Sequence, residues 1–218
     1  MNTEFTLSDR TLTLIRYPAK HQHKSLQAWD SADELLIEYI RQELPALSGQ
    51  QPWIVFNDDF GALGCTFAQE QPVWVSDSKI AELSFKENLT TNHLPDVPMQ
   101  DCLAPLPDSP ALVIIKIPRT LALLESQLLA LRSVAGPQTI VVAAAKVKTV
   151  TRSVLALFEK HIGPTKTSLA KKKSRLIFCQ PAAKVLSCEV KNPYPTVWPC
   201  RLPNGQTVQV ANHANVFS

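Results

Sequence analysis

Two apolar rhythms alternate along the chain. Trp53–Phe56, Ala111–Ile117 and Thr139–Ala145 are short, nearly unbroken runs rich in β-branched and aromatic residues, the pattern of strands buried on both faces. Between them apolar residues recur every three or four positions, as they do in helices that lay one face on a core. From Ser25 this spacing takes in Leu26, Trp29, Ala32, Leu35, Leu36, Tyr39 and Ile40, with Asp30, Asp33, Glu34 and Glu38 on the other face and Pro45 as the stop. A helix is predicted from about Gly64 to Gln69. Another starts at Ser78 and carries Ile80, Leu83, Ser84 and Leu89. Two more carry Leu121, Leu124, Leu128 and Leu131, then Val150, Val154, Leu155 and Phe158, the last closed by Gly163-Pro164. Shorter strands are predicted at Thr11–Arg16, Pro72–Asp77 and Val97–Cys102, the last kept to a sheet edge by its prolines. Strands alternating with helices predict a mostly parallel sheet covered on both faces.

The end of this unit reads differently. Thr165–Ala170 and Arg175–Cys179 are strands joined only through Lys171, Lys172 and Lys173. So short a link cannot hold a crossover helix, so the pair must be antiparallel. Beyond Pro181 the chain becomes a proline-rich β tail, with strands predicted at Val185–Val190 and Thr207–Val210 across Pro203-Asn-Gly205. This divides the chain into a domain over residues 1–180, with an N-terminal strand and helix in residues 1–45, and a small β extension over residues 181–218. No stop signal precedes His213–Ser218, which leads us to expect that the sequence continues in a longer protein.

Composition adds bounds. The 218 residues are 45% hydrophobic and 19% charged, as in a globular domain with an adequate core. Five cysteines, Cys65, Cys102, Cys179, Cys188 and Cys200, have no CxxC spacing and fall mostly in apolar runs. That pattern suits reduced, buried thiols in a cytoplasmic protein. His21 and His23 stand two apart, but no Cys, Asp or third His lies nearby to complete a site, so no metal is expected. No run reaches the ~20 apolar residues of a membrane span.

The net charge of +3 is unevenly placed. Lys146, Lys148, Arg152, Lys160, Lys166, Lys171, Lys172, Lys173 and Arg175 crowd together with only Glu159 against them. Such a field suits a polyanion, nucleic acid first and an anionic membrane next; the alternative is a solvated face with no partner.

Trp53–Gly64 is where a nucleotide-type cofactor would sit, because a strand meets a glycine-containing bend and then an apolar segment. Asp77, at the end of the next strand, stands where a carboxylate would hold ribose hydroxyls. It can equally be a strand-end residue near a helix N-terminus.

A parallel sheet ending in an antiparallel hairpin is the order of the Rossmann-like, class I S-adenosylmethionine-dependent methyltransferases. Ala28–Leu36, Asn57–Leu63, Lys116–Glu125, Leu157–Thr165 and His213–Ser218 resemble the N-terminal half of a family of bacterial 23S rRNA (guanine-N2)-methyltransferases, the ribosomal RNA large subunit methyltransferase G type. The related small-subunit rRNA methyltransferase C type is the nearest cousin. The resemblance runs over nearly the whole chain and implies a degenerate copy of that fold, followed in the family by a second domain that carries an Asn-Pro-Pro-aromatic motif and the chemistry. On the family pattern the first strand ends in Asp-x-Gly-x-Gly-x-Gly; here Asn57, Asp59, Gly61 and Leu63 occupy those places. Asp77 matches the ribose acid, and Asp101 lies where an adenine-side acid would be. The catalytic motif is replaced by Lys116-Ile-Pro-Arg119.

To methylate an exocyclic amine, a site must accept from the N–H group and stack on the base. Lys116 and Ile117 do neither. Lys116 is read either as a phosphate contact or as a solvated strand cap. The resemblance therefore implies a silent, rRNA-holding domain beside a catalytic half that uses S-adenosylmethionine. The competing readings are an active domain holding cofactor through Asn57, Asp59, Gly61, Asp77 and Asp101, and a purely structural support.

Overall fold

The computed structural model describes residues 2–21 and 25–216. An N-terminal hairpin, β1 (Glu4–Thr6) and β2 (Thr11–Thr13), precedes α1 (Ser31–Glu43). The sheet then alternates with helices: β3 (Trp53–Phe56), α2 (Ala62–Thr66), β4 (Val73–Val75), α3 (Lys79–Thr91), β5 (Met99–Gln100), β6 (Leu112–Lys116), α4 (Leu121–Arg132), β7 (Ile140–Lys146) and α5 (Arg152–His161). It closes with β8 (Thr165–Thr167) and β9 (Ser174–Cys179), and the tail carries α6 (Ala183–Leu186), β10 (Thr196–Arg201) and β11 (Thr207–Asn212).

The seven-stranded sheet has the order β5-β4-β3-β6-β7-β9-β8. The five strands from β5 to β7 pair in parallel, while β9 is antiparallel to both neighbours, its pairing with β8 being the one the short lysine turn required. One apolar core packs α1, α2 and α3 on one face; a second packs α4 and α5 on the other. β3 and β6 are buried along their whole length, which is why they read as unbroken apolar runs.

Several expectations shift. The first helix starts at Ser31, not Ser25, because Asp30 caps it: its Oδ1 accepts from the N–H groups of Ala32 (2.9 Å) and Asp33 (3.2 Å). Asp33 Oδ2 accepts in return from the Asp30 N–H at 2.8 Å, a capping box. Asp33 is therefore buried rather than on a polar face. The helix ends at Glu43, before Pro45, and residues 45–47 form a 3-10 turn. The helix after β3 begins two residues early, at Ala62, because Gly61 adopts φ +89°, a left-handed conformation suited to glycine. The Thr11–Arg16 strand shrinks to Thr11–Thr13. Val150 precedes α5, and Ile80 and Leu121 are exposed.

Val185–Val190 is not a strand. Arg132 stabilises α6 there instead, donating through Nη2 to the carbonyls of Val185 (2.8 Å), Leu186 (3.3 Å) and Cys188 (2.5 Å), as a cation suits a helix C-terminus. The partner of β11 is β10, its two strands joined around Gly205. Of the cysteines only Cys65 and Cys179 are buried; Cys188 is exposed. His23 lies outside the described residues. Among the described residues no cluster suits a metal ion, and no helix is long and apolar enough to cross a membrane.

Candidate functional site

The carboxyl ends of the parallel strands, where ligands bind in such sheets, bring together Asn57, Asp58, Asp59 and Gly61 after β3, Asp77 after β4, Asp101 after β5 and Lys116 at the end of β6. Their polar side chains are engaged by nearby backbone groups and by side chains from neighbouring elements.

Asp58, which sequence reasoning passed over, closes the loop. It is 1% exposed. Its Oδ1 accepts from the N–H of Gly61 (3.1 Å), and Oδ2 accepts from the N–H of Gly64 (2.8 Å) and Nε1–H of Trp74 (3.2 Å). The donors that a loop of this kind offers to a ligand are thus engaged by the protein's own carboxylate. Burial pushes the Asp58 carboxyl up, against the pull of the Gly64 N–H, Lys116 and Trp74.

The two glycines answer to packing. A Cβ on Gly61 would lie 2.5 Å from Phe85 Cδ2, and one on Gly64 would lie 2.3 Å from Phe85 Cζ. The ring of Phe85, on α3, presses on the loop and leaves room for hydrogen only.

Asn57, at φ +60°, reaches across the sheet. Its Nδ2 donates to the Lys116 carbonyl (2.9 Å) and to Gln127 Oε1 (2.8 Å), while Gln127 Nε2 donates back to Asn57 Oδ1 (2.8 Å). The carbonyl at the end of β6 already has a donor, and α4 is bolted to β3.

Lys116 is neither a phosphate contact nor a solvated cap. It is 6% exposed, and its Nζ lies 2.7 Å from Asp33 Oδ1, 2.9 Å from Asp30 Oδ1 and 4.0 Å from Asp59 Oδ2. Burial works against its charge, but Asp33, Asp30 and Asp59 raise its pKa overall. Burial also pushes the Asp33 carboxyl up to about 7, with Lys116 opposing and Asp30 and Asp58 assisting. For Asp30, burial pulls upward but Lys116 outweighs it, and the carboxyl stays below its ordinary value. The i, i+3 pair on α1 and the lone lysine ending an apolar strand were the available signals for this triad.

Asp101 Oδ1 accepts from the N–H groups of Leu103 (2.9 Å) and Ala104 (3.0 Å), closing its own turn. Asp77 Oδ1 accepts from the Cys102 N–H (2.8 Å) and Oδ2 from Asn215 Nδ2 (3.2 Å). The segment after β11 therefore crosses the end of β4, and His213–Val216 line a hollow of about 310 Å³ with Asp77, Asp101 and Leu103. A neighbouring groove of about 350 Å³ takes in Trp74, Asp77, Lys79, Glu82, Lys86 and Asp101. Asp58 holds the Gly61 and Gly64 N–H groups, so the loop does not offer them to a cofactor of the nucleoside type, and each Asp77 oxygen already accepts one hydrogen bond.

The basic residues divide. Lys146 pairs in register with Ser174, Arg175 with Ala145, and the Val147 N–H donates to the Lys173 carbonyl at 2.9 Å. Lys148 lies in the 3-10 turn that follows, and Arg152 opens α5. Lys146, Lys148, Arg152 and Lys173 are thereby gathered at the carboxyl end of β7, all exposed and, among the described residues, in no ion pair. Arg175 is half-buried, its Nε without a hydrogen-bond partner. Lys171 and Lys172 are held by α1: Lys171 Nζ lies 2.6 and 2.7 Å from the Glu38 oxygens, and Lys172 Nζ 2.6 Å from Glu34 Oε2. Lys160 pairs with Glu125 at 3.0 Å. Lys166 pairs with Phe178, which pairs with Val142. At ~3.3 Å per residue this sets it roughly 13 Å along the sheet from Lys146.

Comparison with known proteins agrees with this architecture. Residues 2–183 match the model of the RLMG N-terminal domain. A protein of Alteromonas mediterranea named ribosomal RNA large subunit methyltransferase G is 48% identical over 243 residues, covering 100% of this chain and 59% of its own length. One of the same name from Pseudoalteromonas atlantica is 51% identical over 221 residues, covering 100% of this chain and 56% of its own. The chain thus spans a little over half the length of these relatives. Among solved structures, a T. thermophilus 16S rRNA N2 methyltransferase in complex with AdoMet and guanosine superposes with a TM-score of 0.63 at 15% identity, over 82% of this chain and 50% of that one; this likeness shows the fold, Rossmann-like and methyltransferase-type. Together with the sheet order, the family match over residues 2–183 is decisive: the chain belongs to the RLMG N-terminal domain family.

Proposed function

We propose that this chain is the rRNA-holding, catalytically silent domain of a longer S-adenosylmethionine-dependent methyltransferase acting on the exocyclic N2 of a guanine in 23S rRNA. In this reading residues 1–180 form the degenerate methyltransferase-like unit, and residues 181–218 lead to a catalytic half that binds S-adenosylmethionine. The partners are 23S rRNA and that second half, in the cytoplasm, without a metal. The names of the relatives and their greater length support the parent activity. The domain's own part rests on one observation: four exposed cations, Lys146, Lys148, Arg152 and Lys173, in no ion pair among the described residues, collect at the carboxyl end of β7, while the cofactor-type loop is filled by Asp58.

Lys and Arg contacts to phosphate supply affinity and orientation without reading sequence. Asp30, Asp33 and Lys116 form a fixed internal charge cluster and contribute no free charge to that surface. The test is binding of this chain to 23S rRNA over a salt series. Affinity falls as salt rises, and the double substitution Lys146→Glu with Lys173→Glu weakens binding at least about tenfold and lowers the salt slope by roughly one to two. Binding indifferent to salt, or unchanged by the double substitution, overturns the reading.

A further inference from the structure

The link between β8 and β9 is built in a way that a plain connection does not require. Lys171 and Ser174 exchange both N–H···O bonds at 2.9 Å, which makes Lys172 and Lys173 the central pair of a two-residue turn. Their φ angles are +49° and +64°. Two left-handed residues in succession are the signature of a type I′ turn, where Asn-Gly is the favoured pair and a long side chain is strained. Two lysines stand there instead. Backbone strain of this kind persists where the surroundings hold it and a role requires it.

The surroundings do hold it. Glu38 and Glu34 of α1 grip Lys171 and Lys172, and Ser168 Oγ accepts from the Leu176 N–H at 3.0 Å while donating to the Leu169 carbonyl at 2.8 Å. Just beyond this braced base stands Leu169, 89% exposed, the most exposed large apolar residue among the described residues. Val147, 38% exposed, lies in the adjoining turn, tied to Lys173 through the backbone. An exposed leucine two residues before a turn that carries Lys173, in no ion pair among the described residues, has the composition of an element that enters nucleic acid, since apolar wedges part base steps while neighbouring cations meet phosphates.

We infer that the β8–β9 hairpin is a wedge for unpaired RNA, with Leu169 packed against an open base step and Lys173 on the flanking phosphate. Lys171 and Lys172 position the wedge through α1 and do not themselves neutralise phosphate. This rests on the rRNA-holding reading and assigns the surface a preference: loops, bulges and single strands, whose bases can be splayed apart, over continuous duplex.

Leu169→Ala and Lys173→Gln are compared with the unaltered chain on two probes, deproteinised 23S rRNA and a fully paired RNA duplex, with a thermal melt to confirm folding. Leu169→Ala weakens 23S rRNA binding about fivefold, near 1 kcal/mol, leaves the salt slope unchanged and does not affect the duplex. Lys173→Gln lowers the salt slope by about one on 23S rRNA. If Leu169→Ala leaves 23S rRNA binding unchanged while Lys173→Gln weakens it, the wedge is overturned and the basic surface stands. If neither variant, nor Lys146→Glu with Lys173→Glu, alters binding, both fall. Equal loss on both probes from Leu169→Ala also overturns the wedge, because it shows no preference for unpaired RNA.

Discussion

The Gly64 N–H donates to Asp58 Oδ2 at 2.8 Å, so the bend that in sequence looks ready to cradle a ligand is filled from inside by the residue two places after the strand. A buried carboxylate accepting from Gly61, Gly64 and Trp74 behaves as a structural anchor. Asp58→Asn turns one oxygen into a donor that faces an N–H group. The variant should lose about 2–3 kcal/mol of stability, measured by urea unfolding. No change would mean that the three bonds do not hold the loop.

If Phe85 is why Gly61 and Gly64 are glycines, enlarging either should strain the core. Gly64→Ala should destabilise by about 1–3 kcal/mol, and Phe85→Leu should recover part of that loss in the double variant. The cycle of four proteins reads the coupling directly. Simple additivity would disconnect the glycine from the ring.

Lys116 is the counter-charge for a buried acid. Lys116→Met leaves Asp33 unpaired and should cost about 3–5 kcal/mol near pH 8. The sign with pH follows from the raised Asp33 value. A carboxyl with its folded pKa near 7 favours the fold below its unfolded pKa of ~3.9 and loses that contribution as pH rises through the folded value. Removing the lysine raises the folded pKa further, so the penalty grows as pH climbs past 7 and shrinks toward pH 5. Urea unfolding at several pH values checks it; a pH-independent penalty would argue against an ionised Asp33 beside Lys116.

Asp77 holds Asn215 at 3.2 Å, which ties the segment after β11 to the end of β4. Asn215→Ala should raise amide exchange across residues 213–216 several-fold while leaving β3, β4 and β6 protected. Unchanged exchange in that segment would show that the bond does not hold it.

The sheet was legible because β3, β6 and β7 are buried on both faces and so carry no polar interruptions. The antiparallel end was legible from a turn too short for anything else. What the sequence concealed are relationships between residues distant along the chain. Lys116 and Asp33 are 83 positions apart, and each alone looks like a surface charge. Asp58 is one of two adjacent aspartates, only one of which, Asp59, falls on the glycine pattern. The basic run looked uniform until α1 brought Glu34 and Glu38 onto two of its lysines and the strand register moved Lys166 to the far end. In the tail, the apolar pattern of Val185–Val190 could not anticipate Arg132 supplying a helix cap from α4.

The proposal that the loop after β3 holds no cofactor and that the domain acts through the cations at the carboxyl end of β7 can be tested on one preparation. Isothermal titration of the chain with S-adenosylmethionine tests it most directly. No saturable heat and no rise in melting temperature are expected at millimolar ligand, while 23S rRNA added to the same preparation binds in a salt-dependent manner. A one-to-one isotherm with S-adenosylmethionine, abolished by Asp77→Ala, would contradict it.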